Sequence, residues 1–361
     1  MQKSKIKMQN DNVKFKIILL FLSLFFLSGC VKNVNLRQQA REEKAQEQKS
    51  ISSMQGAVDL GEEKSNQLPE SNDAEKKPIK VLFVGDMMFD RHIREAVEKY
   101  GRGDYNYILE PIKEKLSEYD LVIGNLEGPI TDAKSVSMNT KLGESKNFVF
   151  TFDPVVAKVL AENNIKLVNL GNNHILNQGA KGVEQTKKYL DEAGMEYFGD
   201  TGLGDENFFV REIREIKIGF VNYNYSVSGL AEEIIKDIEE AKKQLDIVIV
   251  YPHWGTEYKV GDPGNSIRAL AHRFVDAGAD AVIGTHPHVV QISEEYQGKK
   301  IYYSLGNFVF DQYFQKETME GLGMEVTIKP DGTMEFSEVK FEMTKRGQTK
   351  EIAGAIFLNQ L

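Results

Sequence analysis

Six apolar runs of strand length, five of them closing on a residue able to hold a metal ion or a proton, constrain this chain more than any other feature. They occupy 79–86 (IKVLFVGD), 120–127 (DLVIGNLE), 165–173 (IKLVNLGNN), 216–224 (IKIGFVNYN), 245–255 (LDIVIVYPHWG) and 279–288 (ADAVIGTHPH). Unbroken apolar runs of this length favour strands covered on both faces. Covering both faces takes helices, and helical signals fall between the runs. Asp153-Pro154 makes an N-cap and first-turn pair for a helix over 154–163, with Val155, Val156, Val159 and Leu160 on one side. Further helices are predicted over 180–193 and 264–277, meeting Gly194 and Gly278 as exit residues.

The last third changes character. Stretches 300–310, 322–329 and 333–341 read as strands, with Pro330-Asp331-Gly332 as the hairpin turn between the last two. The pattern predicts one α/β domain over 79–343 with a β-rich second half, followed by a weakly patterned extension over 344–361. A hydrophobic content of 41% supplies its core.

In open α/β folds, ligands collect beyond the carboxyl ends of strands. Those positions here carry Asp86, Glu127, Asn172-Asn173-His174, His253 and His286-Pro287-His288. Each has an ordinary reading alone. Asp86 caps a helix, Glu127 is a solvated loop carboxylate, the asparagines form turns, and the histidines are structural or superficial. Together they point to a metal site. Carboxylates, amide oxygens and neutral imidazoles suit Mn, Fe or Zn better than an all-oxygen calcium cage. Four of the six histidines fall in these segments. The other two, His92 and His272, read as ordinary polar residues.

The start of the chain has a separate logic. Lys3, Lys5, Lys7, Lys14 and Lys16 precede eleven mostly apolar residues, 17–27, and then Leu27-Ser28-Gly29-Cys30. The run is short of the roughly 20 residues a membrane-spanning helix needs. It resembles a signal peptide, residues 1–29, closing on a bacterial lipobox. Cys30, the single cysteine, then becomes an acylated N-terminus that binds membrane lipid on the extracytoplasmic face. An uncleaved anchor is the alternative. Residues 30–78 are rich in Glu, Gln, Lys and Ser and read as a disordered tether, or alternatively as a partner-binding tail. A net charge of -9 speaks against general nucleic-acid binding. No Gly-x-x-x-x-Gly-Lys-Ser/Thr loop is present, which excludes an ordinary P-loop ligase.

Six ordered segments carry a family resemblance: VGDMMFDR at 84–91, NLEGPIT at 125–131, LGNNHILNQG at 170–179, YPHWGTEY at 251–258, GADAVIGTHPHVVQ at 278–291 and YSLGNFVFD at 303–311. With these the chain resembles the CapA, or PgsA-like, family of capsule and poly-γ-glutamate biosynthesis proteins, which have a calcineurin-like metallophosphatase fold. The resemblance implies a four-layer α-β-β-α sandwich of two mixed sheets flanked by helices. It implies one or two divalent metal ions per chain. Asp86 and His288 would serve the first, Asn173, His253 and His286 the second, and Glu127 would bridge. His174 would stand at the reactive centre as an acid or hydrogen-bond donor. The first motif departs from the family's Asp-x-His, since Met88 stands in place of the imidazole; Asp90 is the candidate to complete that site. The bridging residue is Glu127 where aspartate is usual.

On this pattern Arg91 would pair with an anionic group of the substrate, and Asn307 would position it. Three functions follow from the resemblance. The first is a surface metallohydrolase acting on an anionic polymer or a phosphate-containing envelope substrate. The second is a non-catalytic component of capsule synthesis or export, binding polymer or membrane synthesis proteins. The third is a general surface phosphoesterase.

Overall fold

The computed structural model describes residues 77–353. The expected signal peptide, Cys30 and nearly all of the tether lie outside the described residues, as does the end of the extension. No helix among the described residues is long and apolar enough to cross a membrane.

Among the described residues, fourteen strands form two mixed sheets. In chain order they are β1 (Ile79–Met87), β2 (Leu121–Leu126), β3 (Ile165–Asn169), β4 (Glu196–Phe198), β5 (Phe208–Ile213), β6 (Ile216–Val221) and β7 (Ile247–Val250). The rest are β8 (Ala281–Ile283), β9 (Ser293–Tyr296), β10 (Lys299–Tyr302), β11 (Asn307–Val309), β12 (Glu320–Ile328), β13 (Met334–Met343) and β14 (Thr349–Glu351). The first sheet runs β14-β13-β12-β1-β2-β3-β4, with β11 also paired to β1. The second runs β5-β6-β7-β8-β10-β9. Five helices of eight or more residues flank them: α1 (Arg91–Tyr100), α2 (Val155–Glu162), α3 (Gly179–Glu192), α4 (Ala231–Lys242) and α5 (Asn265–Asp276).

Strand alternation sorts the core into three layers. Val81 and Phe83 of β1 join Leu121 and Ile123 of β2 against Ile218, Phe220, Ile247 and Ile249, so this layer lies between the sheets. Phe83 packs its ring 6.0 Å from Phe220 and 5.7 Å from Tyr251. Leu82, Val84 and Val122 face the other way, against Ile93, Val97, Val156, Leu160 and Val183 of α1, α2 and α3. Val248, Val250 and Val282 pack on Ile234, Ile238, Ala271 and Phe274 of α4 and α5. The result is the four-layer α-β-β-α sandwich the resemblance implies.

Two details differ from the sequence reading, and the first serves the site. The run 300–310 is not one strand. β10 pairs with β8 in the second sheet, whereas β11 pairs with β1 in the first, so the chain changes sheets between Tyr302 and Asn307. Gly306, at φ 69°, takes the crossing. The second detail is β14, which pairs Phe341 with Glu351 and Met343 with Thr349, so that the start of the extension completes the first sheet.

A candidate metal centre at the strand ends

β1 reaches the site through a break in its ladder. It pairs with β12 over Ile79–Phe83, then with β11 at Asp86 and Met87, and its register with β2 shifts between Phe83 and Asp86. Before the shift Leu82 and Val84 face the helices; after it Met87 does. Asp86 is thereby turned to the inter-sheet side, the use a bulge commonly has beside a functional site. Gly85 is required there, because a Cβ would lie 1.9 Å from the Gly306 carbonyl oxygen. On β2, Asn125 pairs in register with Asp86, and Glu127 follows two residues on, toward the same side.

Asp86, Glu127, His253, His286 and His288 meet in one buried cluster. Their ligand atoms form two groups, Asp86-Glu127-His253 and Glu127-His286-His288, each with all atoms within 4.8 Å of one another. Glu127 belongs to both, which is the bridging place the resemblance gives it. The histidines divide differently from that expectation, His253 with Asp86 and His286 with His288. The pairings remain close either way: His288 Nδ1 is 3.3 Å from Asp86 Oδ2, and His253 Nε2 is 2.8 Å from Asn173 Oδ1. His286 and His288 both take left-handed backbone, at φ 102° and 58°, and the His286 N–H donates to Asp86 Oδ2 at 3.1 Å. Non-glycine residues hold such a conformation where the surroundings over-determine it.

The donor set fits a divalent metal. Both Glu127 carboxylate oxygens are buried without a hydrogen-bond donor among the described residues, and His286 Nδ1 is likewise without a partner. A bare buried carboxylate is costly unless a cation balances it. Burial, with the Asp86 charge added, pushes the Glu127 carboxyl well above the usual range. Burial lowers His286 to about 3 and drives His253 well below its ordinary value. Those rings are neutral at physiological pH, the form that ligates.

A buried amide network, which strand-end reasoning does not single out, holds the ligands. Asn125 Nδ2 donates to Asp86 Oδ1 at 2.8 Å and lies 3.1 Å from His253 Nδ1. Its Oδ1 accepts from Asn169 at 3.0 Å and from Asn172 at 3.2 Å. Asn172 Oδ1 in turn accepts the backbone N–H of His174 and of Ile175, which fixes the loop presenting Asn173 and His174. Thr285 Oγ1 sits 3.1 Å from His253 Nδ1.

His174 stands beside the cluster, its Nε2 3.9 Å from Glu127 Oε1. Its ring lies 4.3 Å from Phe150, and burial lowers it to about 4. Asn177 Oδ1 accepts from the Phe150 N–H, so it is an oxygen, and His174 Nδ1 donates to it at 3.1 Å. The ring thus turns Nε2 toward Glu127.

Three other expectations shift. Asp90 does not complete a metal site: its carboxylate is held by Arg94 Nε at 3.0 Å, Ser137 Oγ at 2.7 Å and the Thr151 N–H at 2.8 Å. Met88 is buried in the helix-side core, its sulfur 3.0 Å from the Asp90 N–H. Arg91 lines the cleft, but Asp311 and Asn147 take up its Nη atoms, and Phe150 and Phe310 cover its guanidinium. Asn307 touches His288 instead of open space. Its Oδ1 lies 3.0 Å from His288 Nδ1, and its amide donates to Gln312 and to the Thr318 carbonyl. His92 and His272 lie away from the centre, paired with Glu95 and Glu294.

A cleft of ≈ 230 Å³ opens over the cluster, with His174 and His288 in its floor and Arg91, Glu257, Tyr258 and Phe314 in its walls. Clusters of carboxylates and imidazoles arranged like this suggest metal binding, and the cleft gives access to it.

Residues 80–312 match the family model described as bacterial capsule synthesis protein PGA_cap. The capsule biosynthesis protein CapA of Bacillus anthracis is 31% identical over 313 residues, which cover 80% of this chain and 72% of that one. The PGA biosynthesis protein CapA of Bacillus subtilis (strain 168) is 34% identical over 279 residues, covering 72% and 70%. Among solved structures, a novel phosphatase from Mycoplasma pneumoniae is 15% identical with a TM-score of 0.45, over 73% of this chain and 93% of that one.

Proposed function

Because the chain belongs to the bacterial capsule synthesis protein family PGA_cap, we propose that it serves capsule or poly-γ-glutamate production as a metal-dependent hydrolase, acting on an anionic envelope or capsule-related substrate. The observation that carries this is Glu127, buried without a hydrogen-bond partner among the described residues and shared by two ligand groups, beside His174 and His288, which line an open cleft. Asp86, Glu127, Asn173, His253, His286 and His288 would hold one or two ions of Mn, Fe or Zn. A cation bound there supplies Lewis acidity and a water of lowered pKa.

The chain's own groups supply the rest. His174, with Nε2 3.9 Å from Glu127 Oε1, would take up a proton there and return it to a leaving oxygen. Arg91 ties the 147–150 loop to the 310–311 segment, and so keeps both cleft walls in place. Phe150 stacks on His174 and shields it from water. The reading of a non-catalytic polymer binder gains little from this cleft. Arg91 is the lone lysine or arginine among the described residues lining it, and Asp311 already neutralises it. Within the cleft lining a polyanion would find no spare cation, whereas one anionic group at the centre fits.

Acylated Cys30 would hold the domain at the extracytoplasmic face, within reach of membrane capsule-synthesis proteins. Labelling cells with a fatty-acid probe checks this. The native chain takes label and the Cys30→Ser variant does not; equal labelling removes the anchor from the account. For the activity, the full chain is assayed against a phosphomonoester, a phosphodiester and defined γ-glutamyl chains, beside His174→Ala and His253→Ala. Turnover lost in both variants supports the hydrolase. Turnover absent in the native chain at full metal occupancy removes it.

A further inference from the structure

Of the eleven large apolar side chains exposed on the described residues, eight lie on one face. That face consists of the loops leaving the carboxyl ends of β2, β3, β4, β6, β7 and β11, the same end of the sandwich that carries the metal centre. The three elsewhere are Tyr100 at the end of α1, Val155 at the start of α2 and Val210 in β5. Scattered exposed apolar residues are ordinary on a protein surface, but their concentration on one face marks an interaction site.

The pattern within the face indicates what it meets. Five of the eight stand one or two residues from a lysine: Val136 by Lys134, Leu142 by Lys141, Phe148 by Lys146, Val260 by Lys259 and Phe314 by Lys316. All five lysines are exposed. Lys134, Lys141, Lys146 and Lys259 have no carboxylate partner among the described residues, and Lys316 pairs with Glu320 at 3.1 Å. Over 132–148 the three lysines meet two carboxylates, Asp132 and Glu144, and Asp132 is engaged by Tyr189 and Gln185. The other three apolar residues, Leu176, Leu203 and Tyr225, have no adjacent lysine.

These pairs come from separate loops: Leu142, Phe148 and Phe314 rim the cleft of the candidate metal centre, whereas Val136 and Val260 stand outside it. A protruding apolar side chain with an ammonium beside it suits a laterally uniform, anionic, greasy boundary. The apolar tip enters the headgroup and acyl region while the lysine reaches the lipid phosphates. We propose that this face docks onto an anionic lipid bilayer, so that the metal centre opens toward the headgroups. The docking rests on surface chemistry and stands whether or not the centre is catalytic.

The 17–27 segment can itself hold the full chain to a bilayer, so the test reads orientation rather than binding. In a full-length Cys30→Ser background, single cysteines replace Leu142, Val260 or Phe314, and Val210 as the reference. Each carries an environment-sensitive dye and is mixed with phosphatidylcholine vesicles, with or without phosphatidylglycerol. Variants whose thermal unfolding departs from the parent are set aside, and three independent positions keep the test open. Blue shift and quenching by brominated lipid at 142, 260 and 314, but not at 210, are expected. They should weaken without phosphatidylglycerol and in Lys141→Glu/Lys146→Glu. No shift at the three positions, an equal shift at 210, or indifference to phosphatidylglycerol overturns the proposal. So does a shift that needs no lipid and grows with protein concentration, which would assign the face to a second copy of the chain.

Discussion

Glu127 is the residue on which the site turns, because it is a fully buried carboxylate with no hydrogen-bond partner among the described residues. Two opposite effects of Glu127→Gln follow. In chelator, removing the bare charge should stabilise the fold by about 1–3 kcal/mol, since a buried unpaired charge is replaced by a neutral amide. In excess metal the order should reverse, because the variant gains less from the ion; denaturant unfolding under the two conditions measures both. Asn125 is the second test. It holds Asp86 and lies against His253, so Asn125→Ala should weaken metal affinity by about 10–100-fold while the ligands remain. A metal titration followed by calorimetry reads this directly. The cluster was legible in the sequence because imidazoles and carboxylates recur at the ends of successive apolar runs, though each has an ordinary reading alone. Asn125 was not, since a buried amide inside an apolar run gives no local sign of its partners. The Asp311 partner of Arg91 was hidden in the same way, since it lies 220 residues away.

At the scale of elements, the apolar runs announced the central strands, and the three predicted helices formed within a residue or two of their expected bounds. The break in β1 could not be read from periodicity, because it depends on where β11 lands. Gly85→Ala tests that break. A methyl group against the Gly306 carbonyl should cost at least about 1–3 kcal/mol, the usual penalty for overpacking, and should lower metal binding by moving Asp86. If stability falls and metal affinity stays native, the break does not aim Asp86. A pH-dependent clamp lies at the other end of the sheets. Arg214, in the β5–β6 turn, binds Asp120 at 2.6 and 2.8 Å, and Asp120 also accepts from the Lys80 N–H. Asp120 is held below its ordinary pKa, chiefly by the Arg214 hydrogen bonds. A depressed folded-state value means the stabilisation is present above the unfolded pKa and is lost as pH falls through the folded one. Both groups are partly exposed, so Asp120→Asn should cost only about 0.5–1 kcal/mol at neutral pH. The gap from the native chain should close in acid; a gap that persists there would assign the loss to packing.

The described residues join a two-sheet sandwich to a polar centre at one end, and that end also carries most of their exposed apolar side chains. A ligand that binds only the folded state stabilises it by about 2.7 kcal/mol at a hundred times its Kd. Adding chelator to the metal-loaded chain should therefore lower the unfolding midpoint, and restoring the right ion should recover it; a midpoint indifferent to chelator would separate the centre from metal. The layering was legible because strand and helix signals alternate and then give way to strands, while the grouping of the histidines depended on loop geometry around Pro287 that spacing does not encode. Glu127 is proposed to join two ligand groups around bound metal. Elemental analysis of the full chain purified without chelator, beside Glu127→Gln and His253→Ala, tests it most directly. One or two equivalents of Mn, Fe or Zn in the native chain, with most of it lost in both folded variants, is the predicted result. No metal in the native chain, or the same metal in all three, would contradict it.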